Sequence, residues 1–264
     1  MKTISYKPKE ERKKILLLCD DIRSHSGVGN VARDMVIHTC EHFNWVNLAG
    51  AVNHPDSGKR LEIGPAFEKE LGLKDISCAL YPTNGYGDAQ FLRTIIKHEK
   101  PDALMIITDP RYFEWLFLME REIRKEIPII YLNIWADWPA PQYNEAFYQS
   151  CDGLFAISKQ TKLINELVLG DNIKNKVLKY IPHGINTENF YPKTKEDKDY
   201  SEFLNFKKQL FKKDYEFTML FNSRNMRRKQ LPDALVAFRM FLDKLPKDKA
   251  DKCAFLIHSE IVSD

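Results

Sequence analysis

The feature that most constrains this chain is a rhythm, in which short apolar runs recur along its first two thirds, separated by segments long enough for a helix. Lys14-Ile-Leu-Leu-Leu-Cys-Asp20 is the first run. Trp45 to Ala51, Ile76 to Tyr81, Ala103 to Thr108, Ile129 to Asn133, Gly153 to Ile157 and Val177 to Ile181 follow. Continuous runs this short suit strands buried on both faces, and helix-length connections make neighbouring strands parallel. The chain is therefore predicted to be α/β, with a doubly wound parallel sheet in its first domain. A helix is expected over residues 30 to 43, with Asp88 and Ser158 capping two later helices. Residues 52 to 65, with Pro55, Gly58, Gly64 and Pro65, read as an irregular insertion, either a loop over a cleft or a solvated loop.

From Tyr191 the composition changes to the charged run PKTKEDKDYSEF, which marks a linker with a connecting helix up to Lys213. Phe217 to Phe221 then reads as a strand, Leu231 to Leu245 as an amphipathic helix and Cys253 to His258 as another strand. At 264 residues the chain is long for one domain and short for two complete α/β domains. The expected organisation is a Rossmann-like domain over 1–190, a linker over 191–213, and the first βαβ unit of a second Rossmann-like domain over 214–264.

Composition excludes several classes. Forty basic and thirty-seven acidic residues leave a net charge of +3, and the lysines are spread along the chain, so no nucleic-acid partner is indicated. The opening MKTISYKPKEERKK is too charged for a signal peptide, and Ile15 to Cys19 is too short for a transmembrane segment. A cytoplasmic location is expected. The five cysteines are far apart and form no C-x-x-C pair, which predicts buried free thiols. Asp197 and Asp199 spell D-x-D in a charged linker and lack the apolar strand that would present both carboxylates to a cation. No Ser-His-Asp or H-E-x-x-H pattern stands out, and of seven histidines only His25 and His183 fall in loops past strand ends.

Ligands of parallel sheets sit beyond the strand carboxyl ends. There, His25-Ser-Gly-Val-Gly-Asn30 supplies Gly27 and Gly29 at a helix start, either to bring backbone N–H groups to a phosphate or to make a tight turn. Ala32 breaks the dinucleotide fingerprint. Asn133-Ile-Trp-Ala-Asp-Trp-Pro-Ala-Pro141 offers Asp137 as a polar contact, and Trp135 and Trp138 either stack on a sugar or pack on the neighbouring helix. Asp109 is either a site carboxylate or a cap before Pro110.

Three ordered segments carry a family likeness. Ile181-Pro-His-Gly-Ile-Asn-Thr-Glu-Asn-Phe-Tyr-Pro192, Cys151-Asp-Gly-Leu-Phe-Ala-Ile-Ser158 and Phe221-Asn-Ser-Arg-Asn-Met-Arg-Arg-Lys-Gln-Leu-Pro-Asp-Ala-Leu-Val-Ala-Phe238 resemble signatures of glycosyltransferase family 4. The resemblance implies a GT-B fold and sugar transfer from a nucleotide-sugar donor to a glycan, lipid or small-molecule acceptor, with retention of configuration. It implies no cofactor and no metal. By resemblance, Arg224 and Lys229 bind the donor diphosphate; on the reading of the residues given above, Gly27 and Gly29 are grouped with them as diphosphate-binding and Asp137 is the catalytic candidate. His25, Asp109, Trp135, Trp138, His183 and Gly184 line the cleft. His183, Asn186 and Gln230 depart from the usual asparagine, aspartate and glycine. The family's two-glutamate donor motif is missing, which implies a second domain cut short and weak donor binding by this chain alone. The alternatives are a non-catalytic fragment or an acceptor-binding module that needs a separate donor domain, and another Rossmann-type nucleotide-binding protein.

Overall fold

The computed structural model describes residues 7–211 and 213–261; Met1–Tyr6, Lys212 and Val262–Asp264, which fall within the expected domains and linker, lie outside the described residues. The chain divides into two compact units between Gly184 and Ile185.

The first unit runs β1 (Lys13–Asp20), α1 (Gly27–Thr39), β2 (Phe43–Gly50), β3 (Leu61–Glu62), α2 (Gly64–Leu71), β4 (Cys78–Pro82), α3 (Ala89–Glu99) and β5 (Ala103–Ile107). It continues with α4 (Glu114–Leu118), α5 (Glu120–Ile123), β6 (Ile129–Asn133), α6 (Glu145–Gln149), β7 (Gly153–Ala156), α7 (Lys159–Leu169) and β8 (Val177–Tyr180). The strands form one sheet in the order β3-β4-β2-β1-β5-β6-β7-β8, parallel throughout except for β3. Alternate residues feed two separate cores. Leu16, Leu18, Leu104 and Ile106 face one side with Leu92 and Ile95 of α3, while Leu17, Cys19, Met105 and Ile107 face the other with Ala32 and Val36 of α1. Burial on both faces is why these strands read as unbroken apolar runs. Because β2 and β5 flank β1 on opposite sides, the winding reverses between β1 and β5, and the loops leaving their carboxyl ends diverge around a crevice.

Two expectations need correction. The first helix spans 27–39, not 30–43, because the Ser26 hydroxyl accepts from the Gly29 amide at 2.9 Å and starts the helix at once, while β2 already begins at Phe43. The insertion over 52–65 is only partly irregular, since Leu61–Glu62 pairs antiparallel with β4 and α2 starts at Gly64. Asp88 and Ser158 do cap α3 and α7.

A buried carboxylate ties this unit together. The Glu99 side chain is only 4% exposed, and it accepts from Arg60 Nε at 2.7 Å, the Tyr81 hydroxyl at 2.8 Å and Lys14 Nζ at 3.1 Å. Burial pushes its pKa up, but these donors outweigh burial and hold it at about 2.

The second unit contains α8 (Tyr200–Leu210), β9 (Phe217–Asn222), α9 (Leu231–Asp243), α10 (Lys247–Ala250) and β10 (Cys253–His258). The two strands are parallel, with Phe217 opposite Cys253 and Asn222 opposite His258, so β9-α9-β10 is a βαβ crossover. Helix α9 packs on the pair through Phe238 against Phe255 at 5.0 Å and Phe241 against Phe217 at 5.7 Å. Gln230, just before α9, sits at φ +52°, ψ +44°, the left-handed region. This conformation costs a side-chain-bearing residue about 1 kcal/mol, which gives a physical reason for glycine at such a position. Gln230→Gly is expected to stabilise the second unit by up to about 1 kcal/mol, and Gln230→Val to destabilise it by a similar amount. Hydrogen exchange of the β9 and β10 amides reads both; faster exchange in the glycine variant would refute the assignment.

Candidate functional site

The crevice between β1 and β5 is organised by Asp20, the last residue of β1. Its carboxylate is buried and accepts from the Ser26 hydroxyl and, at 2.9 Å, from the Tyr86 hydroxyl. Burial and this carboxylate raise the Tyr86 pKa, so the phenol stays a donor. Ser26 also caps α1, so one network links the end of β1, the start of α1 and the loop after β4. Beside it, buried Asp21 pairs with Arg23 at 2.6 Å. The two glycines of this loop differ. A Cβ on Gly29 would lie 2.3 Å from Ser24 Oγ and 2.9 Å from the Asp21 and Ser24 carbonyls, whereas Gly27 has nothing within 4 Å. Gly29→Ala is therefore expected to cost about 1–3 kcal/mol by overpacking, and Gly27→Ala well under 1, in chemical denaturation. Equal costs would show that the loop yields. His25, two residues before Gly27, is exposed.

The loop leaving β5 begins with Thr108 at φ +117°, a strained setting for a β-branched residue at the functional edge of a sheet. The buried Tyr131 hydroxyl donates to the Thr108 carbonyl at 2.9 Å and holds it there. Asp109 next accepts from the Arg111 amide at 3.0 Å, capping the turn over Pro110–Phe113, and pairs with the Arg111 guanidinium, with Nε–Oδ1 at 2.9 Å. Burial works against the ionised form of Asp109, yet Arg111 outweighs it and lowers the pKa. The carboxylate is thus a cap and an ion-pair partner at once.

These loops assemble aromatic rings. Tyr86 stacks on Tyr112 with centroids 4.5 Å apart, Arg111 lies over the Trp135 ring at 5.9 Å, and Trp135 meets Tyr143 edge-on at 6.0 Å. Tyr112, Trp138 and Tyr143 are 55%, 60% and 65% exposed. Trp135 is half-buried against the core, whereas Trp138 is not packed away. Their loop is fixed from below: buried Asn133 accepts from the Trp135 amide at 2.9 Å, and Thr161 and Gln160 of α7 donate to the carbonyls of Trp135 and Ala136. Asp137 is exposed and accepts from the Trp138 amide at 2.9 Å. His183 and Gly184, past β8, are exposed, and partial desolvation lowers the His183 pKa.

The structure thus brings Asp109 and Trp135 together through Arg111. Asp20, Tyr86, Arg111, Tyr112 and Tyr143 were absent from the sequence-based candidates. A local signal existed for Asp20, a carboxylate closing an apolar strand, and for Tyr86, flanked by Gly85 and Gly87 in a turn. A cavity of about 640 Å³ opens elsewhere, between α3 and α5, lined by Lys97, Lys100, Glu122 and Ile127 among others. Lys100 and Ile127 precede β5 and β6, so this cavity lies at the amino ends of the strands, away from the crevice.

In the second unit, the strand ends are joined by Asn222 Oδ1 and His258 Nδ1 at 2.8 Å, and by the Ser223 amide donating to the His258 carbonyl. Arg224 follows, 3.6 Å from Glu260, and the turn Arg227–Lys229 leads into α9. A cationic turn between a strand end and a helix N-terminus is suited to a phosphate-bearing ligand. Among the described residues, no group of His, Cys, Asp and Glu is placed to hold a metal, and no helix is long and apolar enough to cross a membrane.

No family model matches the sequence, and no curated protein matches it. Solved structures do. The chain is similar to Anabaena Alr3699/HepE in complex with UDP and glucose, at 13% identity and TM-score 0.59 over 94% of this chain and 62% of that one. It is also similar to the α,α-trehalose 6-phosphate synthase of Burkholderia multivorans, at 12% identity and TM-score 0.56 over 93% of this chain and 64% of that one. A glycosyltransferase from Rickettsia africae gives 13% identity and TM-score 0.53 over 95% and 69%. The chain spans less than two thirds of the first two. What the chain shares with these structures is their fold, a mostly parallel sheet flanked by helices.

Proposed function

We propose that the protein takes part in transfer of a sugar from a nucleotide-sugar donor to an acceptor, with retention of configuration and without a metal or other cofactor. The observation that carries this reading is the cationic turn of Arg224 and Lys229 between the carboxyl end of β9 and the start of α9, on a chain with a glycosyltransferase-type fold. A departing nucleoside diphosphate gains charge as the glycosidic bond breaks, and fixed cations stabilise that charge more than they stabilise the ground state. Arg224 and Lys229 of the second unit have this role. The crevice of the first unit takes the acceptor, with Asp137 as the carboxylate at the acceptor hydroxyl and His25, Asp109, Trp135, Trp138, His183 and Gly184 lining it.

Phosphorus NMR tests the donor half directly and detects weak binding. The two phosphate resonances of UDP, GDP, ADP or dTDP are expected to broaden or shift when the chain is added, and to recover in the Arg224→Ala/Lys229→Ala double variant. A set of unperturbed spectra for all four nucleotides would sink the proposal.

A further inference from the structure

We infer that the acceptor is an uncharged saccharide whose ring lies on the aromatic platform of Tyr112, Trp135 and Tyr143, with Trp138 on the same loop as Trp135; the inference rests on the glycosyl-transfer reading and adds the acceptor's chemical class. The first support is the kind of surface exposed. Phe113 and Leu116, beside Tyr112 in sequence, are buried, while the exposed Tyr112 and Tyr143 each offer an apolar face with a polar tip. An acyl chain is matched by an aliphatic groove. A pyranose, with C–H bonds on one face and hydroxyls round its rim, is matched by aromatic faces edged with donors and acceptors.

The second support is charge. Arg111, the cation over the platform, is held in a two-pronged pair by Asp109, so its charge is already compensated and a phosphate or carboxylate would have to displace Asp109. The Arg–Asp pair instead presents donors and acceptors side by side, the pattern that vicinal hydroxyls satisfy.

Acrylamide quenching of tryptophan fluorescence in the 264-residue chain is the test. The probes are glucose, maltose, cellobiose and mannobiose, then glucose 6-phosphate and glucuronate, then vesicles of phosphatidylcholine and phosphatidylglycerol. At least one neutral saccharide is expected to shield the tryptophans. Tyr112→Ala and Tyr143→Ala should each weaken that shielding by about tenfold, consistent with loss of one stacking contact, while Tyr143→Phe, which keeps the ring, retains most of it. Three results would overturn the inference: tighter binding of the anionic sugars than of the neutral ones; shielding by vesicles alone; or no shielding by any probe. If nucleotide signals persist while saccharides fail, the acceptor class is wrong on its own. If both fail, the transfer reading falls with it.

Discussion

Alanine at Arg224 or Lys229 is expected to slow sugar transfer on the order of a hundredfold, about 3 kcal/mol of transition-state stabilisation, in a polypeptide that turns over donor. The size follows from timing, because each cation meets a leaving diphosphate whose charge grows along the reaction, so the contact is stronger in the transition state than in the Michaelis complex. Arg227→Ala and Arg228→Ala should cost far less, since exposed cations that do not meet the ligand contribute little. Steady-state kinetics on the four variants, with circular dichroism confirming the fold, separates the cases. Four similar losses would mean a diffuse basic patch. No loss at Arg224 and Lys229 would remove the main support for nucleotide-sugar chemistry. The Glu260 carboxylate, 3.6 Å from Arg224, adds a check: Glu260→Gln should leave the fold unchanged and alter diphosphate binding only through Arg224.

Glu99→Ala is expected to cost about 3–5 kcal/mol of stability, because it leaves Arg60, Tyr81 and Lys14 facing a cavity without their acceptor. For a unit of this size, that corresponds to a fall in Tm of roughly 10 °C or more. The acid response gives a second readout. With its pKa held at about 2 against an ordinary 4.5, Glu99 contributes its stabilisation in full above pH 4.5 and loses it as the pH falls through 2. The shift corresponds to about 3 kcal/mol at most. Glu99→Gln removes that dependence, so its stability should fall less steeply across this window than that of the unmodified chain. Parallel acid profiles would show that another carboxylate governs the response.

The parts of the fold that were legible in the sequence are those decided by local pattern. Leu16 to Leu18 and Leu104 to Ile107 are apolar without interruption because each strand is buried on both faces, and Asp88 and Ser158 are caps because their oxygens lie near amides two or three residues on. The two-residue strand β3 is too short to leave a period, and its pairing with β4 is visible only in three dimensions. The site follows the same division. The strand-end loops with Asp109, Trp135 and Asp137 are readable from their place after apolar runs. The bond from Tyr86 to Asp20 spans 66 positions, and the stack of Tyr86 on Tyr112 is made by the sheet order alone. Arg111 would pass for a surface cation until Asp109 and Trp135 are seen around it.

The strained peptide at Thr108 bears on how such a chain can change over generations. Tyr131 and Asn133 hold the loops from the buried side, through the Thr108 carbonyl and the Trp135 amide, while Tyr112, Trp138 and Tyr143 ride on the same loops with more than half of their surface free. On the proposed acceptor reading, scaffold and recognition are written in different residues: drift at the three exposed rings would alter what is recognised while sparing the core, so new acceptor preferences would be reachable by single steps, whereas change at Tyr131 would release the backbone on which every such variant depends. A library for altered selectivity belongs at positions 112, 138 and 143, with 108, 131 and 133 left fixed.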